Sequence, residues 1–494
     1  MRREVFFNAL SHHAESPALN DGVHRWTYAD LERQVQLWID RLREFRADRV
    51  AYRLPNGCNW IALDLALLET GRVAVPIPEF FSLRQERHVL ACSGVDTYVV
   101  EPHHDAQGFM PVASQAEFRV LRSPASRFEP VHPGTAKITF TSGTTGEPKG
   151  VCLSAAHMLA TAASIERSLG AVPGWRHLCA LPLSLLLENV AGVYANLLSA
   201  HEIYAPPLSE IGVTGSSGLD VARFIAAQNR VRPHSIILVP QLLLALTAAA
   251  EFGVALPDAY RFVAVGGATV PVSLITRARR VGLPAFEGYG LTECGSVVAL
   301  NLPNANRPGT VGRPLDNAAI DVVDGDIHVG GSTMLGYLGE PAAASDRVAT
   351  GDVGAFDADG YLRVLGRRRN NFITSFGRNV SPEWIEGELH AEFAIACATV
   401  FGESMPRVAA LIVGRGASDH AAVQAAIDAA NARLPDYARV AVWRAVPMAE
   451  FVAAGCLTEN GRPRRDVIVS RYSNLLNDMF SQIEEQFDAT VRQA

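Results

Sequence analysis

Residues 141–150 of this chain read Thr-Ser-Gly-Thr-Thr-Gly-Glu-Pro-Lys-Gly, a glycine-rich loop that ends in a lysine. Its three glycines allow several backbone N–H groups to turn toward one point. The serine and the threonines add hydroxyl donors, and the lysine adds a compact, mobile positive charge. Strand-like apolar patterns flank the loop at residues 136–140 and 151–154. The segment therefore predicts a loop between two strands that binds a polyphosphate.

Lysine is otherwise almost absent from the chain, which makes its position in this loop informative. The sequence contains 42 arginines but only two lysines, Lys137 and Lys149. An ammonium group on a flexible stem and a planar guanidinium group are not interchangeable at a phosphate site. We therefore expect Lys149 to contact phosphate and to take part in catalysis.

Two other interpretations of the loop are less satisfactory. Clusters of serine, threonine and glycine are often surface hairpins, but a surface hairpin explains neither the lysine nor the strand-like flanks. The phosphate loop of P-loop NTPases requires Gly-x-x-x-x-Gly-Lys-Ser/Thr. In this chain Glu147 and Pro148 separate Gly146 from Lys149, and Gly150 follows. The loop therefore belongs to a different class of nucleotide site.

Composition excludes several classes of function. The net charge is −7, and no basic run is longer than residues 367–369, which argues against a nucleic-acid partner. The seven cysteines are scattered without a Cys-x-x-Cys pair, which predicts reduced thiols, with no disulfide framework and no zinc site. The apolar run at 235–250 is too short to span a bilayer, and the N-terminus does not resemble a signal peptide. These features predict a cytoplasmic protein without an integral membrane segment.

The order of the predicted elements indicates an α/β fold with two domains. Helical patterns alternate with short apolar strands over the first 300 residues, which favours α/β layers with parallel strands. Strands are expected at 50–52, 73–78, 178–181, 235–239 and 262–265, and helices at 31–42, 60–68 and 191–200. After Gly309 the segments become short and glycine-punctuated, which predicts an antiparallel β-subdomain. The polar joint at 366–371 predicts a large N-terminal domain, 1–368, and a small mobile α+β C-terminal domain, 369–494.

A second motif, residues 288–293, reads Gly-Tyr-Gly-Leu-Thr-Glu. Adenylation of a carboxylate requires an aromatic face for adenine, a hydroxyl near the α-phosphate and a carboxylate for Mg²⁺. Tyr289, Thr292 and Glu293 supply these three groups, although the motif alone is also compatible with a tight turn before a helix. Together with the loop at 141–150, it resembles the adenylate-forming superfamily of acyl-CoA synthetases, peptide-synthetase adenylation domains and luciferases.

The resemblance extends over residues 26–465 and implies roles for further residues. In such enzymes the glycine-rich loop binds the phosphates of ATP, a glycine turn and an aromatic residue bind adenine, and an aspartate binds the ribose. The corresponding residues are Thr141, Ser142, Gly143, Thr144, Thr145 and Gly146 for phosphate, Gly267, Ala268 and Tyr289 for adenine, and Asp352 for ribose. By the same resemblance Arg367 lies on the phosphate side, Arg369 is the hinge residue, and Arg378 belongs to the mobile domain and can face the site.

One position departs from the pattern of the superfamily. Residues 457–465 resemble the segment in which a lysine, placed just after a glycine, bridges the substrate carboxylate and ATP. This chain has Arg462 at that position. The scarcity of lysine offers a simple explanation, in which the charge is retained but the group is bulkier and planar. We expect Arg462 to be catalytic in the first half-reaction.

Residues 181–192 resemble the long-chain acyl-CoA synthetase version of a motif beside the acyl group. Leu185 stands where many relatives have a histidine or an aromatic residue, so the site is more apolar and suits an alkyl chain. These leucines are equally compatible with an ordinary hydrophobic core. Residues 296–301 contain no charge, and a buried ammonium group without an acidic partner is costly. A carboxylate from another part of the chain could still supply that partner.

The resemblance implies a ligase reaction in two steps. A carboxylic acid and MgATP give acyl-AMP and pyrophosphate, and the acyl group then passes to a thiol, either of CoA or of phosphopantetheine on an acyl carrier protein. Glu293 is the expected Mg²⁺ ligand. The leading hypothesis is a fatty or other apolar acid as substrate. The alternatives are an aryl or amino acid loaded onto a carrier protein, and a non-catalytic nucleotide-binding relative.

Overall fold

The structure is a computed structural model that describes residues 1–123, 130–141, 148–170, 172–215, 218–343, 345–376, 378–416, 418–458 and 461–493. Helices alternate with strands through the first 300 residues, as the sequence pattern predicts. The α-helices are α1 (Arg3–Ser11), α2 (Tyr28–Glu44), α3 (Cys58–Thr70), α4 (Leu83–Ser93), α5 (Ala155–Leu169), α6 (Ala195–Leu198), α7 (Val221–Val231), α8 (Pro240–Glu251), α9 (Val272–Arg280), α10 (Pro382–His390), α11 (His420–Arg433), α12 (Met448–Ala453), α13 (Arg465–Arg471) and α14 (Ser473–Gln493).

The strands fall into large and small sheets. In the first 240 residues they are β1 (Pro17–Asn20), β2 (Arg25–Thr27), β3 (Arg49–Arg53), β4 (Val73–Pro76), β5 (Thr97–Val100), β6 (Met110–Ser114), β7 (Arg119–Arg122), β8 (Thr135–Thr141), β9 (Lys149–Ser154), β10 (Arg176–Leu178), β11 (Glu202–Tyr204), β12 (Val213–Thr214), β13 (Gly218–Leu219) and β14 (Ser235–Leu238). The later strands are β15 (Phe262–Val265), β16 (Ala285–Leu291), β17 (Ser296–Leu300), β18 (Arg313–Pro314), β19 (Ala318–Val323), β20 (Asp326–Gly331), β21 (Gly336–Tyr337), β22 (Arg347–Phe356), β23 (Leu362–Arg367), β24 (Phe372–Ile373), β25 (Asn379–Val380), β26 (Ile395–Phe401), β27 (Val408–Gly414) and β28 (Val440–Ala445). A π-helix spans Leu187–Tyr194, and short 3₁₀ helices span Leu208–Ile211, Thr292–Cys294, Arg368–Asn370 and Asp436–Ala438.

Two large mixed sheets form the N-terminal part of the molecule. One has the order β18-β17-β16-β15-β14-β10-β11-β1-β2 and the other the order β21-β9-β8-β4-β3-β5-β7-β6. Their central pairs, such as β14 with β15 and β3 with β4, are parallel. A single hydrophobic core joins side chains of both sheets to side chains of α2, α3 and α5. This arrangement confirms the predicted α/β class.

Local sequence signals explain where these helices begin and end. The Thr27 side chain accepts the N–H of Asp30, and the Asp30 carboxylate accepts the N–H of Thr27, which forms a capping box at the start of α2. Helix α3 ends at Gly71, whose φ of 71° lies in the left-handed region that glycine adopts readily.

The part of the chain after Gly309 is antiparallel β followed by α+β, again as predicted. Strands β19, β20, β22 and β23 form an antiparallel four-stranded sheet. Beyond residue 370, sheet β26-β27-β28 and its helices contain two hydrophobic cores of their own. The 3₁₀ helix Arg368–Asn370 joins the two regions. The exact boundary between residues 368 and 369 stays a prediction.

One predicted strand was misplaced, and one predicted helix begins earlier than expected. Strand β10 covers Arg176–Leu178 instead of 178–181, because Pro182 lacks an N–H and the Leu181 N–H donates to the Glu188 side chain, not to a neighbouring strand. The helix expected at 191–200 begins earlier, as the π-helix Leu187–Tyr194, and continues as α6. Residues 288–293 form the end of β16 and a 3₁₀ turn into β17. From the motif alone, a turn before a helix was also possible.

Two further expectations concern cysteines and membranes. The seven cysteines are free thiols, as their spacing predicts. Among the described helices, none combines the length and the apolar character that crossing a bilayer requires.

Candidate active site

The predicted phosphate loop connects the two strands of a hairpin. Strands β8 and β9 are antiparallel, and their register places Thr141 opposite Lys149 at the end of the hairpin next to the loop. Ser142, Gly143, Thr144, Thr145 and Gly146 lie outside the described residues, so their roles stay predictions.

Gly150 fits this hairpin because no side chain could be placed there without displacing its neighbours. A Cβ atom at this position would lie 3.0 Å from Ile138 and 3.1 Å from Phe140. The close packing keeps the end of β9 flat against β8. Lys149 therefore leaves the sheet at a fixed point beside the loop.

Lys149 reaches outward from the hairpin over an aromatic ring. Its Nζ lies 5.0 Å from the centroid of the Tyr337 ring and 3.0 Å from Glu340 Oε1, and its side chain is 47% exposed. Tyr337 is brought there by β21, which pairs with β9 so that Tyr337 lies opposite Val151. The ammonium group is thus accessible to a ligand and is held by a cation–π contact and a surface ion pair.

Tyr337 also connects Lys149 to Glu293. The Tyr337 hydroxyl donates a hydrogen bond of 3.0 Å to Glu293 Oε1. Burial and the Glu293 carboxylate raise the pKa of the Tyr337 hydroxyl, so it remains a donor at neutral pH. The sequence analysis missed this tyrosine, because the two-residue strand that carries it shows no periodicity.

The Glu293 carboxylate suits a hard divalent cation. Glu293 lies in the short turn after β16 and is half-buried, with Oε1 held by Tyr337. Within the described chain, Oε2 has no hydrogen-bond partner. Because Mg²⁺ prefers one or two carboxylate oxygens plus substrate phosphates and water, the residues present fit that ion. Thr292, the preceding residue, is half-buried at the start of the same turn.

Tyr289, Asp352 and Arg367 form a second connected group. The Tyr289 hydroxyl donates to Asp352 Oδ2 at 2.5 Å, and Arg367 Nε lies 2.8 Å from Asp352 Oδ1. Strands β22 and β23 place Asp352 opposite Arg367 in register. Burial raises the pKa of Asp352, although Arg367, Tyr289 and Arg462 act in the opposite direction. A carboxylate has about four acceptor positions, so Asp352 could still accept hydrogen bonds from both hydroxyls of a ribose.

Arg462 lies close to this group, as the resemblance predicts. Its guanidinium donates a hydrogen bond to the carbonyl oxygen of Gly267. Gly267 follows β15 with a φ of +79°, and the parallel pairing of β15 with β16 brings it near Tyr289. Ala268 is exposed beside it. A cation from the C-terminal region therefore stands at the predicted adenine and ribose side of the site.

Glu287 is a further acidic residue in the site that the sequence analysis missed. It precedes Tyr289 by two positions on β16, so both side chains share one face of the strand. Burial raises the pKa of Glu287 to about 8. The signal in the sequence was an acidic residue within an apolar strand, directly before the glycine of the motif.

Arg378 is the one described site residue that the structure does not bring to the others. It is exposed in the C-terminal region, where its backbone N–H donates to Thr374 Oγ1. Arg369, the expected hinge residue, is exposed in the 3₁₀ helix Arg368–Asn370. It stays a prediction that Arg378 can face the site.

The predicted acyl side contains half-buried leucines. Leu185 and Leu187 are partly exposed. Leu186, which lies between them, and Leu183 are buried. The π-helix that follows packs against β17, the strand that leaves the Thr292–Glu293 turn. The segment therefore lies next to the strand that follows Glu293, and its place on the acyl side of the site stays a prediction.

Two protein-family models match successive parts of this chain. The family model described as "AMP-binding enzyme" matches residues 6–338, and the model described as "AMP-binding enzyme C-terminal domain" matches residues 370–484. The first match alone covers more than half of the chain.

Individual CoA ligases are similar to this protein along most of the chain. A feruloyl-CoA synthase of Amycolatopsis sp. is 29% identical, over 81% of this chain and 84% of its own. The long-chain-fatty-acid–CoA ligase FadD15 of Mycobacterium bovis is 26% identical, over 94% of both chains. The O-succinylbenzoate coenzyme A synthetase of Bacillus subtilis, solved with ATP and magnesium, has a TM-score of 0.73 at 21% identity, covering 93% of this chain and 98% of its own. The chain therefore belongs to the AMP-binding enzyme family, and by class it is an AMP-forming acid–CoA ligase.

Proposed function

We propose that this chain activates an apolar carboxylic acid, in the first instance a fatty acid, to its acyl-AMP and then transfers the acyl group to CoA. The observation that carries the proposal is the convergence of four charged groups: Lys149 at the start of β9, Glu293 in the turn after β16, Asp352 within β22 and Arg462 in the C-terminal segment. These groups supply the cations and the metal-binding carboxylate that adenylation requires.

In the first step a carboxylate oxygen attacks the α-phosphorus of ATP, and pyrophosphate leaves. Lys149 offsets negative charge on the polyphosphate, and Asp352 holds the ribose hydroxyls. Arg462 offsets charge between the carboxylate and the α-phosphate. Glu293 would hold Mg²⁺, which when bound supplies further positive charge to the phosphates.

In the second step a thiol sulfur attacks the acyl carbonyl carbon, and AMP leaves. The thiol gives up its proton to solvent or to a base, and Arg462 is not needed for this step. We assign the N-terminal domain to residues 1–368 and the mobile domain to 369–494, with rotation about Arg369 removing Arg462 from the site. CoA is the proposed acceptor, because the similar feruloyl-CoA synthase and long-chain-fatty-acid–CoA ligase are CoA enzymes by name.

The preference for an alkyl acid rests on the acyl segment. Leu185 and Leu187 offer apolar surface. Glu188, the acidic residue of that segment, has both oxygens engaged by His177 and by the Leu181 N–H, so it is not free to pair with a substrate ammonium group. This segment therefore offers no free carboxylate to the ammonium group of an amino acid substrate.

An aryl acid is the second candidate. The similarity to a feruloyl-CoA synthase favours it, and an apolar segment accommodates an aromatic ring as well as an alkyl chain. Both candidates share one chemistry and differ only in the shape of the acyl side.

ATP–pyrophosphate exchange with a panel of acids tests the proposal. The panel contains straight-chain acids from hexanoate to palmitate, ferulate, anthranilate and several amino acids. Exchange strongest with a straight-chain acid supports the proposal, and exchange strongest with ferulate or anthranilate supports the aryl alternative. Exchange confined to an amino acid, or no exchange with any acid, contradicts both. Thioester formation with CoA, compared with a phosphopantetheinylated carrier protein, then identifies the acceptor.

A further inference from the structure

Residues 179–185, between β10 and the π-helix, form an irregular segment that is largely buried. Leu181 is 5% exposed and Leu183 is 1% exposed. Backbone N–H and C=O groups in such an environment almost always have a hydrogen-bond partner. The Cys179 N–H donates to the Tyr204 carbonyl oxygen, and the Leu185 N–H donates to the Pro182 carbonyl oxygen. No neighbouring strand pairs with Leu181 or Leu183 in the described sheets, and side chains supply their partners.

Asn56 supplies two of them from a distant part of the sequence. It lies in the connection between β3 and α3 and is 3% exposed. Its amide nitrogen donates to the Leu181 carbonyl oxygen at 2.9 Å, and its amide oxygen accepts the Leu183 N–H at 2.8 Å. One asparagine thus fixes the backbone on both sides of Pro182.

Glu188 supplies a third partner from the opposite side. Its Oε2 accepts the Leu181 N–H at 3.0 Å, and its Oε1 lies 2.9 Å from His177 Nε2. The other ring nitrogen of His177 lies 3.0 Å from Ser235 Oγ, which orients the imidazole. Gly192 leaves the room for this carboxylate, because a Cβ atom there would overlap it.

We infer that Asn56 and Glu188 are positioning residues that determine which acids the enzyme accepts. They hold Leu181 and Leu183 from two sides and so fix the path of the segment that presents Leu185. The inference rests on the proposed function, because it takes this segment as the acyl side of the site. Neither residue is expected to touch the reacting atoms.

The test compares Asn56→Ala with Asn431→Ala in the full-length protein. Asn431 is a matched control, because its amide likewise donates to a backbone carbonyl and accepts a backbone N–H, both of Val440, in the C-terminal region. Pyrophosphate exchange across the acid panel gives KM for each acid and for ATP. Asn56→Ala should raise KM for the preferred acid by about 5–30-fold, the scale of losing hydrogen bonds to buried groups, and change the order of preference. KM for ATP should stay within about twofold of wild type.

Glu188→Gln keeps the size of the side chain and an acceptor for Leu181, and it should shift the acid preference in the same direction but less. This variant also serves if Asn56→Ala does not fold. Asn431→Ala should leave the order of preference unchanged. The inference is overturned if Asn56→Ala and Glu188→Gln keep the wild-type order and KM values, or if KM for acid and ATP rise equally. Absence of exchange by wild type with any acid contradicts the proposed function instead.

Discussion

The guanidinium group of Arg462 donates a hydrogen bond to the carbonyl oxygen of Gly267, 195 residues earlier in the chain. Gly267 follows β15 at the predicted adenine side, and Asp352 is near enough for Arg462 to influence its pKa. A cation from the C-terminal region therefore stands in the site in this conformation. This is the arrangement that we propose for acyl-AMP formation.

Arg462→Ala should slow acyl-AMP formation by a factor on the order of 10²–10³, the scale of losing one charge-stabilising donor. Transfer from synthetic acyl-AMP to CoA should be nearly unchanged, because the proposed rotation removes this residue before the second step. Arg462→Lys should retain activity, because the positive charge remains. Single-turnover measurements of each half-reaction provide the test, with Arg464→Ala as the neighbouring control. Equal adenylation by wild type and Arg462→Ala would show that the residue has no catalytic role.

Lys149→Ala should reduce pyrophosphate exchange by a factor on the order of 10²–10³, because it removes a positive charge from the polyphosphate site. The melting temperature should hardly change, since the residue is half-exposed and its ion pair with Glu340 is a surface pair. Arg167→Ala is the matched control, because it removes an exposed cation paired with Asp316. Wild-type exchange by Lys149→Ala would exclude the assigned role.

Tyr337→Phe should raise the Mg²⁺ concentration needed for half-maximal exchange by several-fold. The change removes the hydrogen bond that orients Glu293 but keeps the ring beneath Lys149. Glu293→Gln should have a larger effect, because it removes the charge of the ligand itself. Tyr361→Phe is the control, because the ring of Tyr361 likewise contacts cationic side chains, those of Arg307 and Arg313. Identical magnesium titrations for all variants would contradict the role of Glu293.

Glu287 should make stability depend on pH. Its pKa is about 8 in the folded protein and near the ordinary glutamate value when unfolded, so the folded state holds the extra proton between these values. The free energy of unfolding should therefore fall as pH rises from about 4.5 to 8. Glu287→Gln should remove this contribution and gain on the order of 2 kcal/mol relative to wild type between pH 5 and pH 8. Thermal melting across this range measures it, and parallel pH profiles would contradict it.

Lys137 should be essential for stability and not for phosphate binding. Its Nζ is buried and lies 2.7 Å from Asp64 Oδ1, and the Tyr194 hydroxyl lies within hydrogen-bond distance of both groups. Lys137→Met leaves the Asp64 carboxylate buried without its cation and should cost about 3–5 kcal/mol. Adding Asp64→Leu should recover part of this loss. Chemical denaturation measures both, and an unchanged midpoint in Lys137→Met would contradict the assignment.

Local motifs explain why much of the site was predictable. The phosphate hairpin, the Tyr289–Glu293 stretch and Asp352 each lie in a short segment with its own composition and turn signal, and the alternation of helices and strands predicted the α/β layers. Arg462 was predictable only through the resemblance. Its contact with Gly267 confirms that the two segments are close.

Tyr337 and Asn56 show what the sequence could not reveal. Tyr337 acts through a two-residue strand that pairs with β9, and Asn56 acts across 125 residues. Neither contact leaves a periodic signal in the sequence. Both contacts depend on how sheets are assembled from distant segments. The π-helix was missed for a related reason. Its polar side chains bind buried groups on other elements, and these contacts override the ordinary helical repeat.

The scarcity of lysine makes this enzyme unusually easy to label at one position. An amine-selective reagent can attack only two ε-amino groups, and the structure buries that of Lys137 while leaving that of Lys149 half-exposed. Apart from the N-terminal amine, a labelled peptide should therefore report on residue 149. Protection of this peptide by ATP would measure nucleotide occupancy directly, without turnover and before any acid substrate is identified.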